Sequence, residues 1–287
     1  MAKSDRRGAT RRAVWRLIVS ATTSTSAAVK VSRSAGLVAL AAMVATPLFS
    51  RGGPERRVLA YVVVGGFFLA ALAAHWLVHH WRAVAASGVV MTVSLAIEVI
   101  GSRSGVPFGD YDYGAALQPK VFGVPLLVAV AWAMITLVVH GMFTNSSLSA
   151  FGQVVIGAAA ITAWDVFLDP QMVGEGYWSW SQPGPAFRGI PLVNYGGWFV
   201  TAIVMLLLVR FILQANHSSH SGGTQMATTT QQLTFVIYSV LTVLSTIGFV
   251  FFFDDVVVAV TGLVAMGGSC VVALRSRSDQ QSAETIA

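Results

Sequence analysis

Eight apolar runs, at about 35–50, 58–80, 83–101, 121–143, 148–168, 192–213, 232–253 and 256–274, dominate the chain. A run of about 20 apolar residues crosses a bilayer as a helix, whereas a barrel strand needs only about ten residues in alternation. Away from water, a lone segment of that length satisfies its own backbone only as a helix. The expected fold is therefore all-α: a polytopic transmembrane helical bundle of about eight spans. Only 10% of the 287 residues are charged and 55% are hydrophobic, against about 25% charged in a typical soluble domain. Mean hydropathy is +0.70, so a soluble globule is excluded for want of polar surface.

The net charge of +6 comes mostly from the ends. Lys3, Arg6, Arg7, Arg11, Arg12 and Arg16 form a basic head, and Arg275 and Arg277 follow the last run. Beside membrane spans such residues read as cytoplasmic anchors rather than a nucleic-acid surface. An even span count returns both ends to one side, but Arg51, Arg56 and Arg57 then fall on the opposite side and leave orientation open. The expected organisation is a basic cytoplasmic tail at 1–33, a membrane bundle carrying the chemistry at 34–214, and a polar linker at 215–231. Two C-terminal spans at 232–275 and a polar tail at 276–287 complete it. Residues 14–29 are amphipathic and suit a membrane surface. No cleaved signal peptide and no internal repeat are expected. A multi-pass protein of the cell (inner) membrane follows.

Several kinds of chemistry drop out. Cys270 is the one cysteine and lies in an apolar run, so neither an internal disulfide nor a cysteine metal site forms. His75, His79 and His80 are spaced like part of a di-iron histidine box, but six histidines in all are too few. They read as interfacial, with His140 left alone. No Walker A, no GxGxxG before a strand, no HExxH and no nucleophile elbow is present. The paired Asp254 and Asp255 mark a turn, not an aspartate-rich diphosphate site. Acid–base chemistry with no metal and no cofactor remains.

Of the twelve acidic residues, Glu98, Asp110, Asp112, Asp165, Asp169 and Glu175 belong to the third or fifth span or the loop after it. Asp165 and Asp169, in the string Ala163-Trp164-Asp165-Val166-Phe167-Leu168-Asp169-Pro170, share one helix face a turn apart. Pro170 is expected to end that span. Two carboxylates in a poorly solvated site cannot both be charged cheaply, so one keeps its proton, as a general acid must near neutral pH. Alternatively one of them pairs with Arg188 or binds loop amides. Glu98 lies one turn inside the end of span three, either turned into the bundle interior or reaching the headgroups.

Aromatic residues cluster with these acids: Phe108, Tyr111 and Tyr113 in one stretch, Trp164, Tyr177, Trp178, Trp180, Tyr195 and Trp198 in the other. An interfacial belt is one reading. A pocket that holds a long apolar ligand and steadies a cation on ring faces is the other. Glycine and proline punctuate both loops and give them shape. Two membrane crossings separate the loops, so the stretches 105–125 and 164–198 lie on one membrane face.

The string Gly105-Val-Pro-Phe-Gly109-Asp-Tyr111-Asp-Tyr113, with Leu117-x-Pro119 and Gly123-Val-Pro-Leu-Leu127, resembles the first signature of CruF-type carotenoid biosynthesis proteins. These are the carotenoid 1,2-hydratases, bisanhydrobacterioruberin hydratase among them. Trp164-Asp165-x3-Asp169-Pro170, Tyr177-Trp178-x-Trp180 and Gly189-Ile-Pro191-Leu-Val-Asn194-Tyr-Gly-Gly197-Trp198 resemble the second. The likeness covers residues 90–210. It implies addition of water to the terminal C1–C2 double bond of an acyclic (ψ) carotenoid, giving a tertiary alcohol.

Applied to the residues above, that reaction makes Asp165, Asp169 and Glu98 the catalytic candidates. One Asp protonates C2, and the other, or Glu98 or Asn194, orients the water. Phe108, Tyr111, Tyr113, Trp164, Tyr177, Trp178, Trp180, Asn194 and Trp198 are the substrate-binding candidates. The expected partners are the acyclic carotenoid, water and the lipid bilayer, with other carotenoid enzymes such as a glycosyltransferase. An end-group cyclase or isomerase, or a transporter with the acids as an ion relay, are the competing readings.

Overall fold

The computed structural model describes residues 27–181, 184–214 and 221–286. The basic head, most of the amphipathic stretch 14–29 and residues 215–220 of the expected linker lie outside the described residues. Among these residues eight helices are long and apolar enough to cross a membrane. They are α1 (Ala27–Leu48), α2 (Pro54–His79), α3 (Trp81–Ser104), α4 (Leu126–Phe143) and α5 (Ala150–Gly174), then α6 (Leu192–Gln214), α7 (Ser221–Phe251) and α8 (Val256–Ile286). Large side chains such as Phe151, Phe211 and Val264 point outward, as the wall of a bundle in lipid requires. The most buried span is α4; it packs on α2, α3, α5, α6 and α7.

Helix α8 runs on to Ile286 through the expected tail, and three other boundaries differ from expectation for a tertiary reason. Helix α1 is already formed at Ala27, the first described residue and inside the expected tail, and small residues seat it on α2. Ser32 Oγ donates to Ala70 O at 2.8 Å, and a Cβ on Gly66 would come within 2.9 Å of Ala39 Cβ. Close approach of this kind is how helices associate in lipid. Helix α5 runs past Pro170 to Gly174. The proline removes one backbone bond, but the next turn is fastened by Glu175 N donating to Gln171 O and Tyr177 N to Met172 O.

Helix α7 takes in residues 221–231 of the polar stretch read as a linker. Thr230 Oγ1 donates to Ala74 O at 2.7 Å, and Gln231 Nε2 to Met142 O and Asn145 O at 3.3 and 3.1 Å. Gln231 thus satisfies carbonyls at the end of α4 that have no helical partner. The two C-terminal helices are also integral to the bundle: α7 packs on α2 and α4, and α8 on α5.

The loops after α3 and α5 meet at one end of the bundle. Strand β1 (Tyr111–Tyr113) pairs antiparallel with β4 (Trp178–Trp180), with Tyr111 opposite Trp180, Asp112 opposite Ser179 and Tyr113 opposite Trp178. Each loop then makes a two-residue hairpin, β2 (Lys120–Val121) to β3 (Val124–Pro125) and β5 (Ala186–Phe187) to β6 (Ile190–Pro191). Both central residues of each turn have positive φ, Phe122 and Gly123 in one, Arg188 and Gly189 in the other. That is the turn whose twist suits a tight hairpin.

These correspondences form an internal repeat, contrary to the sequence expectation. Sixty-seven residues carry Glu98 to Asp165, Tyr111 to Trp178 and Tyr113 to Trp180; sixty-six carry Pro119 to Pro185, Gly123 to Gly189 and Trp132 to Trp198. Hydrogen bonds repeat too. Gly114 N donates to Tyr177 O as Ser181 N does to Asp110 O, and Leu126 N to Pro119 O as Leu192 N does to Pro185 O. The unit α3–loop–α4 is thus related to α5–loop–α6 by an approximate two-fold axis along the bundle. The pairs Asp112–Ser179 and Trp132–Trp198 lie across that axis.

Candidate functional site

The axis carries the carboxylates. Glu98 projects from α3 and is almost fully buried, so it is not a headgroup contact. Tyr111 and Tyr113 donate their hydroxyls to Glu98 Oε2 at 2.6 and 2.8 Å, and Trp132 Nε1 donates to Oε1 at 2.9 Å. Burial, and then the adjacent Glu98, push both phenols well above their ordinary range. They therefore remain protonated donors. Three hydrogen bonds of this kind are what a buried carboxylate needs.

Across the axis, α5 and α6 build the second group. Asn194 Nδ2 donates to Asp165 Oδ2 at 2.8 Å and to Asp169 Oδ2 at 2.5 Å. Trp178 Nε1 donates to Asp169 Oδ1 at 3.0 Å. The two aspartates thus share one amide donor, and Asp165 Oδ1 has no protein donor. A proton held by one of the pair would satisfy that oxygen and remove the clash of two acceptors. Arg188 plays no part here; it pairs with Asp255 at 2.8 Å on the outside.

Aromatic rings line the space between. Trp132 stacks on Trp198 with centroids 4.2 Å apart, and Trp164 meets Trp198 edge-on at 6.1 Å. Tyr111 lies 5.0 Å from Trp180, and Tyr113 5.8 Å from Trp178. A cavity of about 390 Å³ opens from this cluster, within the range of small-molecule sites. Glu98, Asp169, Asn194, Phe108, Tyr111, Tyr113, Trp164, Tyr177, Trp178, Trp180 and Trp198 all line it; Asp165 stands behind Asp169 and does not.

The far wall comes from α1, α2, α7 and the turn after α7, through Met43, Val44, Val63, Leu241, Ile247 and Phe252 among others. Val44, Ile247 and Phe252 are also exposed on the outer surface, at 58%, 41% and 45%. The cavity therefore opens sideways between α1 and α7, on the apolar flank of the bundle.

Several lining residues had no local sequence signal. Trp132 is a single tryptophan in an apolar helix, and only its equivalence to Trp198 marks it. Arg56 and Glu175 come from the arginine-rich turn and the end of α5. His75, read as interfacial, is buried with Nε2 3.2 Å from His140 Nδ1, so His140 is not alone. Among the described residues no group of three or more His, Cys, Asp or Glu is arranged to hold a metal ion.

Fold and site together define a multi-pass helical membrane protein with buried carboxylates facing an apolar, laterally open cavity. The chain matches the carotenoid biosynthesis protein family over residues 58–268 and belongs to it. The match extends past 90–210 on both sides and takes in α2 and α7, which supply the far wall. Among curated proteins, bisanhydrobacterioruberin hydratase of Haloarcula japonica is 32% identical over 127 residues, spanning 41% of this chain and 41% of that protein. No solved structure matches the chain.

Proposed function

We propose that this protein is a carotenoid 1,2-hydratase, adding water across the terminal C1–C2 double bond of an acyclic carotenoid. The observation that carries this reading is the buried Asp165–Asp169 pair bridged by Asn194, with Asp169 and Glu98 lining one aromatic-walled cavity. Asp169 lines the cavity and donates its proton to C2. Asp165, linked to it through Asn194, holds the pair's proton in place and returns one after turnover. The tertiary cation left at C1 rests against the faces of Trp164, Trp178 and Trp198, a contact worth about 2 kcal/mol or more when desolvated. Glu98, held by three donors, orients the water that attacks C1. The water gives up its proton to the carboxylates, so the net change is addition of one water with no metal or redox partner.

The rest of the polyene occupies the apolar arm of the cavity and passes out between α1 and α7 into the bilayer. The relative's name supports a hydratase, and the family supports a carotenoid substrate. Expression in a host that accumulates an acyclic carotenoid tests the reading. The expected pigment is heavier by one water per modified end. Pigment of unchanged mass overturns it, and a ring-closed product of unchanged mass assigns the same cation to a cyclase.

A further inference from the structure

Outside the acid cluster, Trp180 Nε1, Tyr195 OH and Thr136 Oγ1 are buried without an aligned hydrogen-bond partner, and three more such atoms belong to the Arg56–Glu175 ion pair and its neighbour: Arg56 Nε, Glu175 Oε1 and Tyr177 OH. Their residues are more than nine-tenths buried, and all three line the cavity. Arg56 Nη1 is 2.9 Å from Glu175 Oε1, yet no N–H points along that line. Glu175 Oε2 accepts from Gly52 N at 2.9 Å, which fixes the carboxylate. Burial, and then Glu175, push the Tyr177 phenol upward, so it stays a donor. Unmatched buried donors and acceptors call for a small polar ligand.

The internal repeat shows that this cluster is not a requirement of the fold. The equivalents of Glu175 and Tyr177 in the first half are Phe108 and Asp110. Phe108 packs so closely on Gly101 and Gly197 that a Cβ on either would come within 2.9 Å of its ring. Asp110 is exposed. The polar cluster is therefore built on the second half alone, with Arg56 added from α2.

We infer that Arg56, Glu175 and Tyr177 form a water site that feeds the hydration reaction, an inference that rests on the hydratase reading above. One water there accepts from Arg56 Nε and Tyr177 OH and donates to Glu175 Oε1, the three bonds usual for a buried water. Glu175 follows Asp169 by six residues, roughly 9 Å along a helix. The site is thus a reservoir beside the chemistry, and its members are positioning residues. Proton transfer to C2 does not need them; capture of the C1 cation by oxygen does. A cation that meets no water loses a proton and returns to alkene.

The test uses the full chain in membranes with an acyclic carotenoid in D2O, reading hydrated product and deuterium in the recovered alkene. Tyr177→Phe keeps the ring and removes one hydroxyl; Glu175→Gln keeps the shape and removes the charge. Each variant is expected to lower hydrated product about tenfold or more while alkene labelling persists or rises. Hydration at the wild-type level in both variants overturns the water site. So does a parallel fall of hydration and labelling in folded Tyr177→Phe protein. Wild-type protein that neither hydrates nor labels overturns the hydratase reading itself, and the inference with it.

Discussion

Trp132 and Trp198 stack with ring centroids 4.2 Å apart and planes inclined by 22°, and they are equivalent residues of two halves of one chain. The pair joins the carboxylate groups: Trp132 bonds Glu98, and Trp198 packs on Trp164, which precedes Asp165. The repeat supplies a symmetric frame, and the chemistry depends on where symmetry fails. Asp169 corresponds to Ser102, and Asn194 to Val128. One half thus holds a single caged carboxylate and the other a pair sharing an amide.

That asymmetry sets the first expectation. Asp169→Asn removes the proton donor that faces the cavity and should lower hydration by about 10²–10⁴-fold, the usual range for a general acid. Asp165→Asn should fall in the same range, because Asp165 governs where the pair's proton sits. Both proteins should still reach the membrane in normal amounts. Product mass normalised to protein level checks this, and near-normal hydration in both removes the pair from the mechanism.

The cage around Glu98 gives a coupled expectation. Tyr111 and Tyr113 both donate to Oε2, so either can partly cover for the other. Tyr111→Phe and Tyr113→Phe should each cost about 1 kcal/mol of stability, in the range of a net hydrogen bond. The double variant should exceed the sum by about 0.5 kcal/mol or more. Thermal unfolding in detergent measures this, and strict additivity would show that the two hydroxyls act independently.

Much of this was legible because it is local. Run length marked the spans, spacing by four marked Asp165 and Asp169, and chain connectivity put the two loops at one end. What stayed hidden depends on contacts between distant residues. Thr230 and Gln231 look like linker residues until the carbonyls of α2 and α4 meet them. Pro170 looks like a helix end until the turn after it is fastened. Arg188 was a fair partner for the aspartates until the chain carried it to Asp255. The repeat is faint in the sequence because the halves share few identities, chiefly a Gly-x-Pro-Leu string at the hairpins and one tryptophan in the helix that follows, while geometry keeps the rest.

The lateral opening predicts how substrate arrives. In a Cys270→Ala background, Ile247→Cys places a thiol where a lining residue also faces outward. Labelling with a bulky maleimide should raise the apparent KM for a membrane-dissolved carotenoid several-fold or abolish turnover, whereas a methylthio group should have little effect. The same treatment at Phe211, exposed but outside the lining, serves as control. Equal effects at the two positions would place the route elsewhere.

The paired turns allow a test of backbone strain free of packing. Gly123 and Gly189 have φ of 97° and 83°, and a Cβ on either would meet nothing within 4 Å. Alanine there costs only the left-handed penalty, about 1–2 kcal/mol, and because the residues are equivalent the two losses should match. Gly262 is the contrast. Its Cβ would fall on the Phe167 ring, so Gly262→Ala should perturb the α5–α8 packing instead. Detergent unfolding of the three variants reads this out, with Gly262→Ala rescued by Phe167→Leu and neither turn variant rescued. If Phe167→Leu also restored Gly189→Ala, the turn penalty would have a packing origin.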